Sequence, residues 1–132
     1  MLGAIIGDIV GSIYEFDNIR TKDFPFFQTA MECTDDSILT FATAQWLLKG
    51  GDVANFYGDY AVRYPCPMGS YGGMFQQWVH NRSVYGKAAP YNSCGNGSAM
   101  RVAPVGWAFQ TEQEEMQWAE TSAACTHNHP EG

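Results

Sequence analysis

Apolar residues recur at helical spacing along most of the chain. Ile5, Ile6, Ile9, Val10 and Ile13 keep to one such pattern, which predicts a helix over 3–16. On a helical wheel Ala4, Asp8, Gly11, Ser12 and Glu15 share one narrow strip, and the rest of the circumference is apolar. The expectation is a largely buried helix. Its two carboxylates then need partners or a metal, unless the strip faces solvent.

Residues 17–33 read as an irregular connection around Pro25. Thr34-Asp35-Asp36 then opens a helix through Ile38, Leu39, Phe41, Ala42, Trp46 and Leu47, closed by Lys49-Gly50-Gly51. Asp52 opens a third helix, with Val53, Phe56, Tyr57, Tyr60, Ala61 and Tyr64 inward and Pro65 and Pro67 as its stop. Segments 65–74 and 86–98 are rich in Gly, Pro, Ser and Asn and read as loops around a short helix at about 74–82. A helix over 98–109 is expected, with Pro104 near its start or kinking it. Thr111-Glu112-Gln113-Glu114 is a capping box that opens a last helix to about Cys125. No stretch alternates in the manner of a strand. The pattern predicts an all-α fold of several short helices with loops between them.

Composition narrows the function. At 132 residues the chain suits one domain, here 1–132. Hydrophobic residues make up 45% and charged residues 16%, which excludes a charge-rich disordered chain. The 14 acidic and 7 basic residues give a net charge of -7, which argues against a general nucleic-acid binder. The first apolar run is short, contains Asp8 and lacks a preceding basic region, so neither a membrane span nor a signal peptide is expected. Cys33, Cys66, Cys94 and Cys125 are evenly spread without a CxxC pair, which favours free thiols and a cytoplasmic setting. Cys125, His127 and His129 could bind zinc, but no fourth ligand lies at a standard spacing.

Several segments carry candidate chemistry. Thr34-Asp35-Asp36 is an ordinary helix start, since helix N-termini favour acids and a Thr cap. It is also a set of hard oxygen donors suited to Mg²⁺ or Mn²⁺, though taken alone the helix start is the better explanation. Gly95-Asn96-Gly97-Ser98 runs toward the expected helix and exposes backbone N–H groups to an anion. No Gly-Lys-Ser/Thr follows, so it is not a Walker A loop. Ser70-Tyr71-Gly72-Gly73 sets an aromatic among small residues, either a ligand platform or a plain loop. His127 and His129 follow a helix end, where capping is the commoner role.

The order of the motifs is more specific than any one of them. Gly3-Ala4-x-x-Gly7-Asp8-x-x-Gly11-Ser12-x-x-Glu15 precedes Thr34-Asp35-Asp36-Ser37. Gly95-Asn96-Gly97-Ser98-Ala99-Met100-Arg101 with Pro104 follows, and then Thr126-His127. This closely resembles the ADP-ribosylglycohydrolase family, which includes dinitrogenase reductase-activating glycohydrolase, over essentially the whole chain.

The resemblance implies a compact all-α fold with a binuclear Mg²⁺ or Mn²⁺ site. It implies cleavage of the bond between ADP-ribose and an acceptor, either a protein side chain or a small molecule. Thr34, Asp35 and Asp36 match part of the metal site, and Glu15 the acid at the scissile bond; Asp8 is given a structural role. Ser93, Cys94, Gly95, Asn96, Gly97 and Ser98 match the loop that holds the phosphates and ribose. Tyr71 and Gly72 match a Gly-Tyr-Gly ligand loop, with Ser70 where the family often has Gly, and His127 matches a substrate-side histidine. One departure is large: the family's other metal ligands lie in an Asp-x-Asp-Thr/Ser motif, and none follows Asp36. The expectation is the N-terminal portion of the family domain, with half of the ligands and self-association through exposed apolar surface. It is active on ADP-ribosylated substrates, inactive in this form, or a non-catalytic ADP-ribose-binding or interaction module.

Overall fold

The computed structural model describes residues 1–131. Six α-helices follow one another: α1 Leu2–Gly11, α2 Asp35–Lys49, α3 Val53–Arg63, α4 Gly73–Tyr85, α5 Val105–Ala108 and α6 Glu112–Ala124. Among the described residues there is no strand, only an isolated parallel bridge between Thr34 and Met68. The fold is all-α.

Helix α2 is the central element. Thr34 caps it by accepting from the Asp36 N–H, and Asp35 and Asp36 place negative charge on its first turn. Gly50, at φ 72°, ends it by returning its N–H to the Trp46 carbonyl at 2.7 Å. The next helix starts at once, with the Asp52 carboxylate accepting from the Ala54 N–H. Helices α2 and α3 therefore pack as a hairpin, and α1, α4 and α5 each rest on one of the two.

The core lies between them: Leu39, Ala42 and Trp46 of α2 meet Val53, Ala54, Tyr57 and Ala61 of α3, with Phe75 and Trp78 from α4. Trp46 reaches Trp118 of α6 with ring centroids 5.1 Å apart, and Phe109 stacks on the same Trp118 ring. A buried polar chain crosses this core. Thr43 donates to the Leu39 carbonyl, so the Tyr57 hydroxyl must donate to Thr43 and accept from Ser122. Every member has a partner, which is the condition for such a chain to be tolerated in a core.

Four sequence expectations change. Tyr64, expected inward on the third helix, is instead the C-cap of α3 and exposed. Helix α1 is not largely buried: only Val10 is buried within it, and Leu2 and Ile6 are exposed. It packs along α2 on one side, and nothing in the described residues covers the other. The expected helix over 98–109 shrinks to α5. Pro104 lacks an N–H and restrains the residue before it, so the chain turns through short bonds, Val102 to Ala99 and Val105 to Val102, until Pro104 caps α5. Helix α4 runs past the expected 82 to Tyr85, where Gly86 closes it at φ 73°.

Candidate functional site

The site grows from the N-terminus of α2. Asp8 projects from α1 onto this helix start. It accepts from the Thr34 N–H at 3.0 Å, the Ser37 N–H at 3.2 Å and both side-chain hydroxyls. One carboxylate thus satisfies two orphan amides of α2 from outside and fastens α1 to α2. This is the structural role expected of Asp8. Thr34 is buried, and its hydroxyl both donates to Asp8 and accepts from the Asp36 N–H.

Asp35 and Asp36 follow as neighbouring acids. Burial, then the adjacent Asp36 charge, push the Asp35 carboxyl up to about 7, with Glu15 and Asp8 acting in the same direction. Asp36 is raised by burial, then by Asp8 and Glu15. Glu15 directly follows the 3-10 turn Ser12–Tyr14 that continues α1 and is itself exposed. Its carboxylate rests against Gly69, where an added Cβ would sit 2.6 Å from Glu15 Oε2. Gly69 holds φ 78° in a turn closed by the Ser70 N–H on the Pro67 carbonyl. The Thr34–Met68 bridge brings this turn over the start of α2. Sequence reasoning missed Met68 and Gly69, although Pro67-Met68-Gly69 is a turn signal. The four acids converge electrically, yet among the described residues no three His, Cys, Asp or Glu side chains form a group that could hold one ion.

Beside Asp35 opens a cleft of about 500 Å³. One wall is Asp35 with Gly72 and Gly73, the N-terminus of α4. The other is Ser93, Gly95, Asn96 and Gly97, with His127 behind them. The glycine-rich segment is held at both sides. Thr40 of α2 donates to the Met100 carbonyl, and the Tyr91 N–H donates to the Thr126 carbonyl. Within it the Gly95 N–H donates to the Ser93 hydroxyl at 3.1 Å. Gly97 is required sterically, since a Cβ there would meet the His127 ring at 2.8 Å. Ser98 is buried beside Gly97 and Cys94 is exposed, and neither is among the residues that line the cleft.

Tyr71 is placed differently from its neighbours. Its ring is buried against Phe75, and its hydroxyl donates to the Tyr64 carbonyl at 2.8 Å. Burial, then the Asp35 charge, raise its hydroxyl above the ordinary tyrosine range. It supports Gly72 from beneath and is not in the cleft wall. His127 is buried, and burial and then the Arg101 charge lower it to about 4, so its ring is neutral at pH 7. Phe75, Tyr91, Met100 and Arg101 also line the cleft; none was expected as a site residue, although Met100 and Arg101 stand in the motif that carries the family resemblance. For Arg101 a signal existed, a lone cation inside the small and apolar run 99–103. Cys125 and His129 do not join His127 in any metal-holding group among the described residues. No helix is long and apolar enough to cross a membrane among those residues.

Comparison with known proteins converges on one family. The family model described as ADP-ribosylglycohydrolase matches residues 1–132. The chain is 30% identical over 156 aligned positions to ADP-ribosylhydrolase ARH3 of Mus musculus, covering 96% of this chain and 42% of the relative. It is 31% identical to ADP-ribosylhydrolase ARH3 of Homo sapiens, covering 96% of this chain and 43% of that protein. The Xenopus tropicalis protein of the same name is 26% identical at similar coverage. The chain thus spans less than half the length of these relatives. No solved structure matches significantly.

Proposed function

The chain belongs to the ADP-ribosylglycohydrolase family, and from that premise we propose that its cleft takes ADP-ribose and serves hydrolysis of the glycosidic bond to an acceptor. The acceptor is a protein side chain or a small molecule. The observation that carries this is the cleft itself, which sets Asp35 at the start of α2 opposite the 93–97 backbone and His127.

The residues divide the work. Backbone N–H groups of the 96–98 segment meet the diphosphate, which lets a chain of net charge -7 accept an anion. Gly72 and Ser93 leave room for ribose between the walls. Asp35 and Asp36, with the remaining lone pair of the Thr34 hydroxyl, hold Mg²⁺ or Mn²⁺. The fit is chemical: all donors are hard oxygens, and every charge acting on Asp35 is negative, so a bound cation relieves their mutual repulsion. When bound, the ion supplies orientation of the ribose hydroxyls and polarisation at the reacting centre. Cleavage builds oxocarbenium character at the anomeric carbon. Glu15, next to the two aspartates, moves a proton at the scissile bond or at the attacking water. Four free cysteines support a cytoplasmic setting, and 1–132 acts as one family-type unit.

A second reading is an ADP-ribose-binding module without turnover. It is favoured by the lack, among the described residues, of three acids gathered round one ion. One experiment separates the two. Release of ADP-ribose from ADP-ribosyl-arginine and ADP-ribosyl-serine is measured with Mg²⁺ or Mn²⁺, beside calorimetry with ADP-ribose. Turnover lost in Asp35→Asn and Glu15→Gln supports the hydrolase. Binding without turnover supports the module, and neither binding nor turnover removes both.

A further inference from the structure

Arg101 is the one Lys or Arg that is wholly buried among the described residues. Its guanidinium lies over the Tyr57 ring, 3.9 Å from the centroid. One nitrogen, Nη2, donates to the Ser122 carbonyl at 3.1 Å and to the Thr126 hydroxyl at 2.7 Å. Nε and Nη1 have no partner, and no carboxylate is among its hydrogen-bond partners. A buried cation left in this state is costly, so its surroundings merit a functional explanation.

The Thr126 hydroxyl receives this bond and has one proton to give. Two acceptors are within reach: His127 Nδ1 at 2.9 Å and the Ala123 carbonyl at 3.4 Å. The first distance is that of a good hydrogen bond, and the second lies beyond the usual range for a hydroxyl donor. The shorter contact points to Nδ1 as the acceptor of the hydroxyl proton, which puts the hydrogen of the neutral ring on Nε2. Nε2 is one of the ring atoms that press against Gly97 in the cleft wall.

We propose that Arg101 is a positioning residue which, through Thr126, locks His127 as the neutral Nε2–H tautomer and so offers a hydrogen-bond donor to an anionic oxygen of the bound diphosphate. The opposite tautomer would turn a lone pair toward that anion and repel it. Arg101 also sets positive charge behind the ring, which keeps the ring neutral and favours an anion in front of it. The assignment of the anion rests on the ADP-ribose reading of the cleft; the tautomer does not.

The test is a long-range proton–nitrogen correlation spectrum of the full chain labelled with ¹⁵N-histidine at pH 7, with His80→Gln and His129→Gln used for assignment. The expected His127 pattern is a protonated Nε2 and a bare Nδ1. Thr126→Val, close in shape, should mix the tautomers and weaken ADP-ribose binding about tenfold, and Arg101→Lys should retain more binding than Arg101→Met. A protonated Nδ1 in the unmodified chain overturns the proposal, as does a Thr126→Val spectrum identical to it. If Arg101→Met fails to fold, those two spectra still decide. If the unmodified chain binds no ADP-ribose, the cleft reading falls, and the spectrum alone then judges the tautomer.

Discussion

Two residues of the cleft respond to pH in opposite senses. Asp35 binds its proton more tightly in the folded chain, up to about 7 against 3.8 for an ordinary aspartate. Between those values unfolding releases a proton, so this group lowers stability as pH rises. His127 is the reverse, at about 4 when folded against 6.5. Unfolding there takes up a proton, so stability is full above 6.5 and falls as pH drops toward 4. Asp35→Asn is therefore expected to raise Tm at pH 7.5 and to leave it unchanged near pH 4. The Asp35 carboxyl is only part-buried, so solvent screening limits the gain to about 1 kcal/mol. Thermal melts across that range check this, and an equal gain at both ends would show that charge is not the cause. Asp8 should behave as a structural acid. Asp8→Ala strips the partners from two α2 amides and two hydroxyls, an expected loss of about 2–4 kcal/mol in urea unfolding. A loss below about 0.5 kcal/mol would mean that water replaces the carboxylate.

At the scale of elements, caps were legible and burial only in part: Val53, Tyr57 and Ala61 of α3 are buried as the spacing expects, and α1 is not. Thr34, Asp52 and Thr111 each start a helix where the sequence places them, because a short oxygen-bearing side chain before a helical run has few other uses. The Thr111 box differs in one detail: the Thr111 hydroxyl donates to the Glu114 carboxylate at 2.7 Å while accepting the Glu114 N–H. Thr111→Ala should cost about 1 kcal/mol, read by urea denaturation; an unchanged midpoint would assign α6 to its Trp118 packing alone. The extent of α1 burial was illegible because periodicity reports an apolar face and not what covers it. The 98–109 segment misled because apolar spacing continues through Pro104, while the missing N–H breaks the ladder. The glycine-rich segment was legible as a motif. Its partners Arg101, Tyr91 and Met100 were not, since only tertiary bonds to α2 and Thr126 bring them to the cleft. Gly97→Ala tests that packing. The added methyl displaces the His127 ring, so ADP-ribose binding is expected to fall at least about tenfold with Tm nearly unchanged, measured by calorimetry and a melt. A large Tm loss instead would make Gly97 a fold residue.

At the scale of the whole molecule, charge and apolar surface oppose each other. Phe16, Leu2 and Leu48 are exposed on or beside α1 and α2, and Trp107 is exposed on α5. Apolar surface of this kind favours association, while a net charge of -7 on every copy resists it. Salt shortens the reach of the repulsion to about 10 Å at 0.1 M and leaves apolar contact largely intact. Self-association should therefore strengthen as salt rises, the opposite of an association held by ion pairs. Sedimentation velocity at two salt concentrations reads this directly. Weight-average mass should increase with protein concentration, and more steeply at the higher salt. A mass that stays monomeric at both would show that the exposed residues are too scattered to form one patch. A mass that falls with salt would place the contact on charged groups. On the proposed metal reading, Mg²⁺ or Mn²⁺ held by Asp35 and Asp36 would add a further handle, because it would neutralise part of the acid at the start of α2. The metal should shift the mass upward in the unmodified chain and not in Asp36→Asn, which ties assembly to the same carboxylates that the hydrolase reading requires.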